Sequence, residues 1–274
     1  MTRLKGPRAK FERAENQLDA LYVELSEALD PSKNAVAVDI EAEPYPPAAL
    51  SQPWVAYTVY VSQMPTVDVE TGLRIGEILH NLRGSLDHTA WILVRRRGNK
   101  RLSEKQARRV QFPLARTSKT FWNETDRLPG VPADPYWTLI ERYQPYKRSR
   151  QGRAMRRLRM LTDLDKHRIL LPVFTTTRKG HFELTHKPGV RVLDEWHMHP
   201  GRELKRGTKL ITVVLSGDPA EHKVRVDGNL DYYPVFPRSL VTPRRGSSTP
   251  NIATTLNMIR KTCGDILSQI EAHL

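Results

Sequence analysis

The chain has 274 residues and a mass near 31.5 kDa, and its 39% hydrophobic and 27% charged residues suit one large or two small packed domains rather than wholesale disorder. No apolar run reaches the roughly 18–20 residues of a membrane-spanning helix, the basic N-terminus lacks a secretory apolar segment, and a single cysteine excludes a disulfide framework and a cysteine zinc cluster. We therefore expect a soluble, cytoplasmic, globular protein whose net charge of +14 is its most informative bulk property.

The first third of the chain predicts a helix, a stiff connection and a strand. Apolar residues recur at helical spacing over residues 8–29, and Asp30-Pro31 ends this helix because a residue before proline disfavours the helical conformation. The proline-rich stretch 44–53 predicts a stiff connection, and the β-branched, aromatic run 54–62 predicts a strand. Three acidic residues are predicted to lie in a loop: Asp39, Glu41 and Glu43.

The rest of the chain predicts more helices, then strands, then a final helix. The longest helical pattern spans residues 72–97, and short β-like runs follow one another from 169 to 236. Ser248, Thr249 and Pro250 offer a cap and a first helical residue for a C-terminal helix that continues to 273. Shorter helices are predicted over 118–126, 135–143 and 153–165.

These elements predict the α+β class. The final helix must return to find a partner, so two sequential domains are disfavoured and residues 1–274 are expected to form a single composite domain. In this architecture a bundle of long helices carries an added β-rich layer. The bundle is predicted over 8–29, 72–165 and 249–273, and the β-rich layer over 54–62 and 169–236.

The positive charge is concentrated in two stretches. Residues 95–109 hold eight basic residues and one acidic residue, and residues 142–168 hold ten and two, so the remainder of the chain is nearly neutral. Dense arginine stretches favour a polyanion partner, most often nucleic acid, although a merely solvated surface is the alternative. The predicted nucleic-acid contacts are Arg95, Arg96, Arg97, Arg148, Arg150, Arg153, Arg156, Arg157 and Arg159.

The pattern over residues 72–97 predicts a helix that is buried on two sides. One face carries only apolar side chains, which is ordinary core packing. Because glycine costs about 1 kcal/mol in a helix interior relative to alanine, Gly84 on the other face predicts a close approach by another element, a second protomer or a ligand. The apolar face holds Ile75, Leu79, Leu82, Leu86, Ala90 and Leu93, and the opposite face His80, Gly84, His88 and Trp91.

Arg83 and His88 have the most specific chemical interpretation. An imidazole that titrates near neutrality can move a proton, and a guanidinium can stabilise the charge that develops on a phosphate. The two groups would suffice for metal-independent RNA cleavage, in which the 2′-hydroxyl of the RNA attacks. The structural alternative is that Arg83 pairs with Asp87 along the helix and that His88 only packs.

The stretch Arg83-Gly-Ser-Leu-Asp-His88, inside a long helix, resembles the Arg-x4–6-His motif of HEPN domains. Those domains are helical bundles, widespread among toxin and antiviral ribonucleases, and usually act as dimers with both motifs at the interface. The resemblance implies a metal-independent endoribonuclease of the toxin or defence type, with Arg83 and His88 catalytic and no cofactor. Many active members carry a polar residue directly after the arginine, where this chain has Gly84.

Two longer strings, ILHNLRGSLDHTAWIL and LTDLDKHRILLPV, resemble a group of uncharacterised bacterial and phage-associated proteins. The resemblance implies that both strings belong to one site. The alternative for the second string is structural, since cations at a helix C-terminus interact favourably with the helix dipole. The supporting residues implied are His80, Asn81, Asp87, Asp165, Lys166 and His167.

Three functional hypotheses follow. The first is a HEPN-like ribonuclease that acts on RNA as a homodimer, and the second is a non-catalytic nucleic-acid-binding or adaptor protein on the same fold. The third is a structural or phage-associated protein whose charge is merely solvated. None of them requires a membrane or a cofactor, and the sequence identifies no antitoxin partner. His197 and His199 alternate near Asp194, but a third ligand at firm spacing is missing, so no metal site is predicted.

Overall fold

The computed structural model describes residues 3–30, 33, 36–45, 54–64, 69–98, 101–166, 174–187, 190–199, 203–236 and 251–274. The α+β class is confirmed. The helices are α1 (Lys5–Ala28), α2 (Val69–Arg97), α3 (Glu104–Arg109), α4 (Ser118–Asn123), α5 (Thr138–Arg142), α6 (Arg150–Lys166), α7 (Pro219–His222) and α8 (Ile252–His273). The strands are β1 (Ala37–Pro44), β2 (Trp54–Gln63), β3 (Phe174–Thr185), β4 (Val192–His197), β5 (Glu203–Leu204), β6 (Lys209–Ser216) and β7 (Arg225–Val235).

The four long helices α1, α2, α6 and α8 form an antiparallel bundle around one apolar core. Near one end of α1, Arg8 donates to Glu271 of α8 at 3.1 Å, and near the other end Tyr22 donates to the carbonyl of Ala253 at 2.9 Å. The two helices therefore run in opposite directions. Among the described helices, none combines the length and the apolar character that crossing a bilayer requires.

α2 runs antiparallel to both α1 and α6. Towards α1, Arg74 pairs with Glu24, and ten residues farther along α2 the stem of Lys10 packs against Gly84. On the side of α6, Asp165 packs against Gly76 of α2. Nearer the C-terminus of α2, Arg159 of α6 is close to Arg83 of α2, because the two arginines donate to the carbonyls of residues 114 and 112. As a result, one end of the bundle collects the N-termini of α1 and α6 with the C-termini of α2 and α8.

α8 begins at Ile252, two residues after Pro250, which the sequence suggests as its first helical residue. The side chain of Asn251 caps the helix by accepting the backbone N–H of Thr254 at 2.6 Å, so Asn251 takes the place that Ser248 and Thr249 were expected to fill. The predicted cap with Pro250 is therefore wrong. Residues 248–250 lie outside the part of the chain that the structure describes.

Within the described residues, the β-rich layer forms two antiparallel sheets. The larger has the strand order β1-β2-β6-β4 and the smaller the order β5-β3-β7. An apolar cluster of their side chains also receives Leu29, which follows α1. Val235 of β7 bridges to Asn251, and Phe236 enters the bundle core. These contacts lie after the C-terminus of α1 and before the N-terminus of α8. The sheets therefore join the bundle at the end opposite to the C-terminus of α2.

The acidic segment predicted as a loop is a strand. β1 pairs along its whole length with β2, and its acidic side chains are exposed. Because β1 is at the edge of its sheet, charged side chains cost little there and discourage pairing with other chains. The loop prediction is wrong at three residues: Asp39, Glu41 and Glu43.

Candidate functional site

α2 is continuous from Val69 to Arg97, and its predicted apolar face is confirmed, because all six apolar side chains are buried in the bundle core. The prediction that its second face is also buried is wrong, since three of its four residues are exposed. The close approach expected at Gly84 is made by α1: a Cβ there would lie 3.3 Å from both Cδ and Nζ of Lys10. The rest of this face is solvated, and it presents His80, His88 and Trp91.

Arg83 is held in a polar network at the edge of the core. Its side chain is 12% exposed, its Nε donates to one carboxylate oxygen of Asp87 at 3.1 Å, and its Nη2 forms an ion pair with the other at 2.9 Å. Nη2 also donates to the carbonyl of Phe112 at 2.7 Å, while Asp87 accepts the N–H of the same residue at 2.9 Å. The pair thus fixes both backbone groups of a fully buried phenylalanine. This ion pair was the structural alternative for Arg83.

His88 points away from Arg83. His88 follows Arg83 by five residues, and a helix turns by about 100° per residue, so the two side chains point about 140° apart around α2. They therefore do not face each other within one chain. The pKa of His88 is lowered, first by partial burial and then by the positive charge of Lys10, with Asp87 acting in the opposite direction. The lowered pKa favours the neutral imidazole, which is the form that can accept a proton.

The lowered pKa of His88 gives a direct prediction. The midpoint of its C2-proton titration, followed by NMR, should lie below the ordinary value of 6.5, and Lys10→Ala should raise it by removing a like charge. Lys105→Ala, on the exposed α3, is the control and should leave the midpoint unchanged. Since the folded state disfavours protonated His88, its protonation should cost stability as the pH falls below 6.5 and nothing above that value. A midpoint above 6.5 would contradict the assignment.

The supporting residues have different settings. His80 is exposed, and Asn81 donates to Gln17 of α1 at 2.8 Å. Asp165, on α6, packs against α2 at Gly76, which is one helical turn before His80. A Cβ added to Gly76 would lie 2.6 Å from a carboxylate oxygen of Asp165. Lys166 is the last residue of α6, and His167 lies outside the described residues.

The bundle topology gathers basic residues from three helices at one end. We call this the basic end; it comprises the exposed residues Arg3, Lys5, Arg95, Arg96, Arg97, Arg148, Arg150 and Arg153. The contribution from α1 was not predicted, because its two residues lie outside both dense stretches. Part of this charge also stabilises the fold: the arginines that end α2 suit its dipole, and Arg97 donates to the backbone of Leu274.

Several of the predicted contact arginines are engaged within the fold. Arg156 donates twice to the carbonyl of Pro145, at 3.0 and 2.8 Å, and Arg159 donates to Leu114 at 2.7 Å. Arg157 is half-buried, and its pKa is lowered by burial and by the charge of Arg153. In contrast, three exposed arginines have no acidic partner within the described ranges: Arg96, Arg148 and Arg150.

The alternating histidines of β4 make local contacts. The Nε2 atom of His197 lies 2.6 Å from a carboxylate oxygen of Glu195, two residues earlier on the same exposed strand face. In the part of the chain that the structure describes, no three His, Cys, Asp or Glu side chains are grouped as metal ligands. The functional argument therefore concerns α2 and the basic end.

Comparisons of the chain with protein-family models, with curated proteins and with solved structures find no match in any of the three. The resemblance to HEPN domains consequently depends on the motif from Arg83 to His88 and its position in a long helix. The function is argued below from the geometry of the chain itself.

Proposed function

We propose that the protein binds nucleic acid through the basic end of its helical bundle. The observation that carries the proposal is the convergence of exposed arginines from separate parts of the chain. Arg96 is in the last turn of α2, and Arg148 and Arg150 lie at the start of α6. The antiparallel packing of α2 and α6 brings these arginines to the same end of the bundle. Nearby carboxylates are already engaged: Glu271 pairs with Arg8, and Asp126 pairs with Arg109.

Phosphates are the ligands that such a surface suits. A guanidinium offers five N–H donors in a planar fork that matches two phosphate oxygens. Each phosphate neutralised releases condensed counterions, so several arginines together give useful affinity and a strong dependence on salt. This mode of binding needs no sequence-specific contact and no chemistry at the phosphate.

A charge-reversal experiment tests the proposal. In fluorescence anisotropy with a labelled 20-nucleotide RNA at about 50 mM salt, the wild type should bind, and the variant R96E/R148E/R150E should bind about 10- to 100-fold more weakly. The matched control is K205E/R206E/K209E, which makes the same change in net charge on exposed residues of the β-rich layer. Absence of wild-type binding, or equal losses in both variants, would contradict the proposal.

A second candidate function is metal-independent RNA cleavage, favoured by the exposure and neutral state of His88 beside Lys10. In this proposal His88 takes the proton from the 2′-hydroxyl, whose oxygen bonds to the adjacent phosphorus as the bond from phosphorus to the 5′-oxygen breaks. The departing 5′-oxygen takes a proton from water, and a cation stabilises the charge on the phosphate. The motif implies that Arg83 is that cation, although its donors are largely occupied; Lys10 is a further cation close to His88. A homodimer through the exposed face of α2 belongs to this proposal, as does a role as a toxin or in defence.

A further inference from the structure

An open pocket of about 430 Å³ lies beside the basic end, and neither candidate function uses it. It is built between α4 and the turns at Thr125–Arg127 and Ala133–Trp137, and two indoles form one wall. The rings of Trp122 and Trp137 are stacked, with centroids 6.2 Å apart and an interplanar angle of 29°. Trp137 is buried, whereas Trp122 is 44% exposed.

The wall is held rigidly from behind. The ring of Phe121, which is fully buried, meets both indoles edge-on at 5.1 and 5.2 Å, and the Nε1 atom of Trp137 donates to the carbonyl of Val131 at 3.2 Å. The stacked arrangement therefore leaves one face of an aromatic platform directed towards solvent. An exposed indole with a fixed orientation can bind a flat ligand at a low cost in conformational entropy.

Other lining residues of the pocket adjoin the C-terminus of α2. Gly98 directly follows the three arginines. A Cβ added to Gly98 would lie 2.5 Å from the carbonyl oxygen of Pro129 and 3.1 Å from the side chain of Val131. Both of those residues line the pocket. A further cation lies at the rim, where Arg109 pairs with Asp126 at 2.9 Å. The aromatic platform is thus adjacent to the arginine cluster.

We propose that this pocket holds one unpaired base of a single-stranded nucleic acid whose phosphates lie on the basic end. The proposal rests on the proposed binding function and adds the class of its substrate. A base has a flat apolar face that can stack on an indole, and it is joined through one sugar to a phosphate. An indole beside arginines can therefore bind the base and its phosphate at the same time. The volume lies within the range of small-ligand pockets, and Asp126 retains lone pairs that can accept an exocyclic amino group. A base inside a duplex is stacked on both faces and is not offered to Trp122.

Trp122→Ala tests the proposal. Its affinity for a single-stranded oligonucleotide, RNA or DNA, should fall by about 5- to 140-fold, the equivalent of one stacked base. Its affinity for the same sequence as a duplex, and for a strand of equal length that carries abasic sites throughout, should match the wild type. The matched control is Trp91→Ala, which removes an indole of α2 that is 40% exposed and does not line the pocket, while Trp122→Phe should restore part of the lost affinity.

The outcomes separate this inference from the function on which it rests. Equal single-strand affinity for Trp122→Ala and the wild type, or equal wild-type affinity for the abasic and the complete strand, would overturn the base pocket while leaving phosphate binding intact. If the wild type binds none of the three ligands, the proposed function itself fails and the pocket proposal fails with it. A loss in Trp91→Ala as large as that in Trp122→Ala would also overturn the specific role of the pocket.

Discussion

Asp87→Ala should lower the free energy of unfolding by roughly 2–4 kcal/mol. The substitution removes the only carboxylate that the described residues offer to Arg83, whose side chain is 12% exposed, and it also removes the acceptor for the N–H of the fully buried Phe112. The Nε–H of Arg83 and the backbone N–H of Phe112 would then lose their acceptor while they remain largely shielded from water. Urea unfolding followed by circular dichroism measures the change.

The control for this prediction is Glu104→Ala. Glu104 and Arg108 form another ion pair at i,i+4 spacing, but both side chains are largely exposed, so its loss should change stability little. Arg83→Ala should resemble Asp87→Ala, which means that a loss of activity in Arg83 variants has to be corrected for unfolding. Equal unfolding midpoints for Asp87→Ala and Glu104→Ala would contradict the structural role assigned to this network.

If the protein cleaves RNA, His88→Ala should reduce the rate by about 10²–10⁴-fold, the usual effect of losing one acid–base group. Because His88 is exposed, the variant should retain its fold and its affinity for RNA. Cleavage by the wild type should survive EDTA, leave 2′,3′-cyclic phosphate ends and spare DNA, since the attacking oxygen is the 2′-hydroxyl of the RNA.

The matched control for cleavage is His197→Ala, which removes an exposed histidine on β4 without approaching α2. It should cleave at the wild-type rate. A clean wild-type preparation that does not cleave RNA, or a His88→Ala variant that cleaves it at the wild-type rate, would refute the ribonuclease proposal. Neither result would affect the binding proposal, which requires no proton transfer.

The long helices were predictable because their apolar residues repeat at helical spacing. In α2 this repeat identified the buried side chains, and the helix continues through Gly84. Short polar elements were missed, β1 and α3 among them. β1 has acidic residues at alternate positions and resembles a loop in composition, whereas α3 is a single exposed turn and a half whose only signal is the capping box of Ser103 and Gln106.

The candidate site was less predictable, because it depends on packing between helices. The sequence showed two basic stretches but not that α1 and α6 begin where α2 ends. It singled out Gly84 without indicating that Lys10 fills the adjacent space, and it grouped Arg83 with His88 although the helix turns them apart. The pocket at Trp122 is formed by turns, and a repeat of apolar residues along the sequence does not predict how such turns are arranged.

The salt dependence of RNA binding tests the central claim, that the basic end binds phosphates, most directly. For a single-stranded RNA, the plot of log K against log salt should have a negative slope of about 0.7 per phosphate neutralised. In R96E/R148E/R150E the magnitude of this slope should fall by about 2, the value expected for three lost contacts, while K205E/R206E/K209E should keep the wild-type slope. A slope that is the same in all three proteins would contradict the account.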